Sequence, residues 1–133
     1  MKSVSLADLD TRKKCGEGVE FEIVNATGKG TGIFLTVIGA HAPSVQTWVN
    51  KELNNRRRAE ALQAKRSGKA LDVRPIEEDI DFGIELIAIR ILGWRGITEP
   101  FSPENALILC QSNPEVCAQV REFSEDIANF TKG

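Results

Sequence analysis

Alternation is the first pattern the chain offers. Val19, Phe21 and Ile23 are apolar while Glu20 and Glu22 between them are charged. A period of two sends successive side chains to opposite faces, which predicts a half-buried strand. Asn25, Thr27, Gly28 and Gly30 form a loop, and residues 32–39 are a second, more apolar strand. The pair predicts an antiparallel hairpin over 19–39 that needs helices to pack against.

From Val45 the period lengthens. Val45, Trp48, Val49 and Leu53 recur at helical spacing, with Ser44 placed as N-cap and Ser67 and Gly68 as the stop. Residues 80–92 are nearly all apolar and predict a buried helix, although residues 84–91 suit a strand by propensity alone. That run is expected to end in a turn around Trp94, between Gly93 and Gly96, with Pro100 preventing resumption. Phe101 then leads into a helix that Ser102 caps, Pro103 opens and Glu104 favours through the dipole; Leu107 lies on its apolar body. Asn113, Pro114 and Glu115 repeat the signal for a last helix reaching about Asn129. Its stripe of Val116, Val120, Phe123, Ile127 and Phe130 is expected to dock on the protein's own core. Trp94 is expected to be a mostly buried wedge between the third helix and the Ser102 helix.

These elements predict an α+β fold. An N-terminal antiparallel β-hairpin packs on a mainly helical bundle of about four to five helices. The chain reads as one domain over 1–133: a loosely held lead-in over 1–18, the hairpin over 19–39 and a helical part over 44–133. At 133 residues it can bury roughly two thirds of its unfolded surface.

Charge changes the picture locally more than globally. The net charge of −2 supplies no positive field to attract phosphates. Between residues 51 and 69, seven basic residues face two acids; between 76 and 85 there are five acids and no base. The basic helix end and the acidic segment, with Glu77, Glu78 and Asp79 in its first turn, are expected to meet, within one chain or between copies. A weak, salt-sensitive homo-oligomer with a head-to-tail contact follows from that opposition. Arg56, Arg57 and Arg58 are the patch that bears on nucleic acid. Three consecutive residues spread around a helix and make no stripe, so a nucleic-acid partner is disfavoured.

Little else carries chemistry. His41 is the single histidine, and no nucleophile signature or dinucleotide fingerprint is present. Residues 28–32 are glycine-rich but lead into a strand, where a phosphate loop opens a helix. Cys15, Cys110 and Cys117 have no metal-ligand spacing and read as reduced thiols. No run is apolar enough to span a bilayer and no leader is evident, so the chain is expected to stay where it is made. The expectation is a protein without catalytic residues, cofactor or metal.

The sequence over 91–97, 100–109 and 113–120 resembles the tail assembly chaperones of long-tailed bacteriophages. In that family a Trp-Gly-type turn precedes a Phe-Ser-x-Glu-Asn motif and a Leu-rich helix, matched here by Trp94, Phe101, Ser102, Glu104 and Asn105. The family's further helix begins near a Pro and carries a Gln-Val, as at Pro114, Gln119 and Val120. The resemblance implies a non-enzymatic assembly factor of the host cytoplasm, absent from the mature virion. It would bind the tape-measure protein, keep it soluble and help recruit tail-tube subunits. The resemblance also implies a longer, frameshifted product continuing beyond Gly133. Two other readings stand beside it: a structural tail-completion protein of the virion, and a nucleic-acid-binding regulator using Arg56, Arg57 and Arg58.

Overall fold

A computed structural model describes Ser3, residues 5–67 and residues 76–131, excepting the side chains of 67 and 76–79. The fold is α+β, with a three-stranded antiparallel sheet carried on helices. In chain order come α1 (Thr11–Cys15), β1 (Val19–Val24), β2 (Gly30–Val37), α2 (Pro43–Ser67), α3 (Ile76–Ala88), β3 (Ile91–Arg95), α4 (Pro103–Ser112), α5 (Pro114–Glu125) and α6 (Ala128–Thr131). A single 3-10 turn over Ala7–Leu9 precedes α1.

The hairpin forms as the alternation predicts. Val19 pairs with Val37 and Phe21 with Leu35, while Glu20 and Glu22 lie on the opposite, exposed face. The third strand corrects the sequence reading. α3 ends at Ala88, and residues 91–95 are not a helix end and turn but a strand antiparallel to β2, with Ile91 opposite Val37 and Trp94 opposite Leu35. β2 is therefore central, and its inward residues Leu35 and Val37 are fully buried. Gly96, at φ 90°, supplies the left-handed turn after the strand.

Two further corrections concern helix ends. Pro43, not Ser44, is the first helical residue of α2, so Ser44 lies within the first turn and not at the cap. The final helix breaks at Asp126, whose backbone is extended, and a short α6 follows. That break interrupts the expected stripe: Val116, Val120 and Phe130 are buried and Phe123 is half-buried, but Ile127 is exposed. The rest of the stripe docks inward, with Phe123 stacked on Phe21 at 4.3 Å and edge-on to Phe130 at 5.7 Å.

The lead-in is anchored more firmly than its polar composition suggests. Cys15 is buried, and its carbonyl accepts from the Gly39 N–H at 2.7 Å. A Cβ on Gly39 would collide with Cys15, so glycine is what permits this approach. At the other end, Gly133 and its exposure lie outside the described residues.

α2 spans 25 residues, about 37 Å. Val45 near its start is its one buried residue among those described. Trp48 stacks on Phe82 of α3 at 5.6 Å, and the Arg56 guanidinium covers the same ring at 4.3 Å. No described helix is long and apolar enough to cross a membrane.

Candidate interaction site

α4 begins as its sequence dictates: the Ser102 hydroxyl accepts from the Asn105 N–H at 3.0 Å, and Pro103 occupies the first turn. It ends with Asn113, whose side-chain amide donates back to the Leu109 carbonyl at 3.0 Å. Asn113 thus closes α4 and makes no side-chain cap to α5, the role its sequence context suggested.

Between those ends, residues 106–110 are apolar at five successive positions. Five in a row on a helix point in every direction, whereas a helix at a core's edge needs one apolar side. Ala106 and Cys110 take the core side; Leu107 and Leu109 are half-buried, and Ile108 is 57% exposed. α4 therefore carries more apolar surface than its own fold covers.

A cleft lies on each side of α4. One, of about 550 Å³, runs against α3 and β3 and is lined by Trp48, Ala88, Ile91, Leu92, Phe101 and Leu107, with Glu85 and Glu104. The other, of about 340 Å³, is lined by Trp94, Ile97, Ile108 and Leu109, with Glu99. Trp94 and Phe101 meet edge to face at 5.2 Å, one ring in each cleft, so this pair partitions them. The Trp94 indole N–H donates to the Glu99 carbonyl at 2.9 Å and fixes the ring. Trp94 is half-buried and stands on β3; it is a wall between two surface clefts, not a wedge at a helix end.

The other residues singled out from sequence are dispersed. Val120 is fully buried on α5, and Phe123 is half-buried and stacked on Phe21 of β1. Arg56 is engaged with Phe82, while Arg57 and Arg58 are exposed. The side chains of Glu77, Glu78 and Asp79 lie outside the described residues, and so does their expected meeting with the basic helix end.

Sequence reading missed Arg90. It is 5% exposed and donates to the Ser124 hydroxyl at 3.5 Å, while that hydroxyl donates to the Ile38 carbonyl at 2.9 Å. Burial lowers its guanidinium pKa, opposed by the charge of Glu125. Only its tertiary setting distinguishes it from a surface arginine. The three cysteines are free and buried. Cys110 and Cys117 adjoin across the α4–α5 junction, and burial pushes the Cys110 thiol up to about 12. No cluster able to hold a metal occurs among the described residues.

What these features define is a small α+β protein whose most distinctive surface is apolar and cleft-bearing. The model of the YdaY prophage protein family matches residues 38–133, and the chain belongs to that family. It is thus a phage-related protein. No curated protein and no solved structure matches the chain.

Proposed function

We propose that this protein is a tail assembly chaperone: a non-enzymatic factor that binds the tape-measure protein in the host cytoplasm, keeps it soluble and helps recruit tail-tube subunits. The observation that carries this reading is the uncovered apolar surface of α4, with a cleft on each side and Ile108 exposed in one of them. It is built from the same segment, residues 91–109, that resembles the chaperone family. Membership of a prophage family supports a role in phage biology. Surface of this kind on a small protein suits reversible capture of another chain's apolar helices.

Co-expression with the tape-measure protein of the same prophage tests the proposal. The tape-measure protein is expected in the soluble fraction with the wild-type chain and in the pellet with Ile108→Glu. Mass spectrometry of purified particles is expected to find no copy of this chain. Stoichiometric recovery from particles would overturn the chaperone reading in favour of a structural tail component.

A further inference from the structure

The two clefts share a charge pattern. Glu85 and Glu104 line one and Glu99 lines the other, and no basic residue lines either among the described residues. The rest of each lining is apolar or uncharged, with Leu92 at 48% and Ile108 at 57% exposure offering the most accessible apolar surface. We infer that the clefts flanking α4 take an amphipathic helix of a partner protein whose apolar stripe is bordered by Lys or Arg. The inference deepens the assembly reading and rests on it for the existence of a partner.

The physical argument has two parts. An apolar stripe entering the clefts removes Leu92 and Ile108 from water, which supplies affinity without orientation. The acids supply the orientation. A flanking Lys or Arg can bury its stem along the cleft wall while its charge approaches Glu85, Glu99 or Glu104. A flanking Asp or Glu meets like charge on both sides of α4 and is rejected. The clefts therefore select among apolar helices by their borders.

Two synthetic model helices of roughly 18 residues, long enough to be helical once bound, test this. Both carry the same leucine stripe; one is flanked by lysines and the other by glutamates. Calorimetric titration is expected to give at least about tenfold tighter binding of the lysine-flanked peptide at low salt. That preference should shrink as ionic strength rises. The Leu92→Gln/Ile108→Gln variant is expected to weaken the lysine-flanked peptide about tenfold. Glu99→Gln/Glu104→Gln should narrow the preference, while Glu115→Gln/Glu122→Gln, exposed on α5 outside the clefts, should leave it unchanged.

Equal binding of both peptides, or binding of neither, overturns the inference. So does an equal narrowing by the α5 variant, which would assign the effect to net charge. Sedimentation of the wild type adds one more outcome: self-association that Leu92→Gln/Ile108→Gln abolishes, in a protein that takes up neither peptide, makes a second copy the occupant and overturns it too. If peptide selectivity fails while the tape-measure protein is still solubilised, the assembly role stands and uses another surface. If selectivity holds while solubilisation fails, the clefts serve a different partner.

Discussion

Gln119 on α5 stands beside Val24 as an additional strand would. Its side-chain amide donates to the Val24 carbonyl at 2.9 Å, and its side-chain oxygen accepts from the Val24 N–H at 2.9 Å. Val24 ends β1, an edge strand, so both of its outward backbone groups would otherwise depend on water. Gln119→Leu is expected to lower stability by about 1–2 kcal/mol in denaturant titration. Gln119→Glu should also cost stability at neutral pH, because a carboxylate has no proton to give the carbonyl and sets its negative charge against that oxygen. Part of that loss should return on acidification.

On the exposed face of the sheet, Arg95 of β3 reaches across the central strand to Glu20 of β1, with contacts of 2.9 and 3.1 Å. Its guanidinium covers the Phe34 ring at 3.8 Å on the way. The hydrogen bond from Arg95 holds the Glu20 carboxyl below its ordinary value of 4.5 and raises the pKa of Arg95. A lowered folded-state pKa means that the unfolded chain takes up the proton first. The contribution is therefore complete above pH 4.5 and is lost as pH falls through the lower, folded value. Thermal melts from pH 6 down to about 2 are expected to show a shallower acid loss for Glu20→Gln than for the wild type. Salt should weaken the wild-type pair, since both groups are exposed.

Two glycines with positive φ should respond unequally to alanine. Gly28 at φ 83° has open space around it, so Gly28→Ala is expected to cost about 1–2 kcal/mol from backbone strain alone. Gly96 at φ 90° also lies against the Gly32 carbonyl and the Ile33 Cα, where a Cβ would collide. Gly96→Ala should cost clearly more, roughly 3 kcal/mol or above. Paired melting temperatures of the two variants provide the check.

The buried thiols should be silent in the native state. Burial raises the pKa of Cys15 and lifts Cys110 to about 12, and a protonated thiol is not a nucleophile. Iodoacetamide at pH 8 is expected to label both only in denaturant, as read by intact mass. Rapid labelling of either in the folded protein would contradict the packing described.

Trp94→Ala removes the partition between the clefts together with the indole hydrogen bond to Glu99. A loss of about 2–4 kcal/mol is expected, below that of a wholly buried Trp because one face is open. Trp94→Phe should cost about 1 kcal/mol and keep both clefts. Intrinsic fluorescence of the remaining Trp48 can follow both unfolding transitions.

The hairpin and α4 were legible in the sequence because their signals are local. Alternation from Val19 and a Ser-Pro-Glu start at Ser102 each carry their own geometry. β3 was not, because only Ile89 and Arg90 separate it from α3, with no Gly or Pro to mark the helix end. Ile84, Ile87 and Ile91 keep helical spacing, and only pairing with Leu35 and Val37, far back in the chain, makes residues 91–95 a strand. Gly93 and Gly96 looked alike as turn residues, yet only Gly96 has a positive φ. Of the candidate site, Phe101, Ser102 and Leu107 were found through the motif around them. Leu92, Ile108, Glu85 and Glu99 read as ordinary helix and surface residues, and Glu104 as a helix-start and motif residue only. The available clue was five successive apolar positions from Ala106 to Cys110, more than one buried face can use.

The late arrival of β3 has a consequence for synthesis. β1 and β2 leave the ribosome together, but the strand that completes the sheet follows only after α2 and α3. Throughout that interval Leu35 and Val37 sit on a strand with one side of its ladder unmade, and closure waits on a long loop. The nascent chain therefore passes through a stage at which another copy's β3 could dock in place of its own. When neighbouring ribosomes on one message bring such chains together, intramolecular closure has to outrun strand exchange.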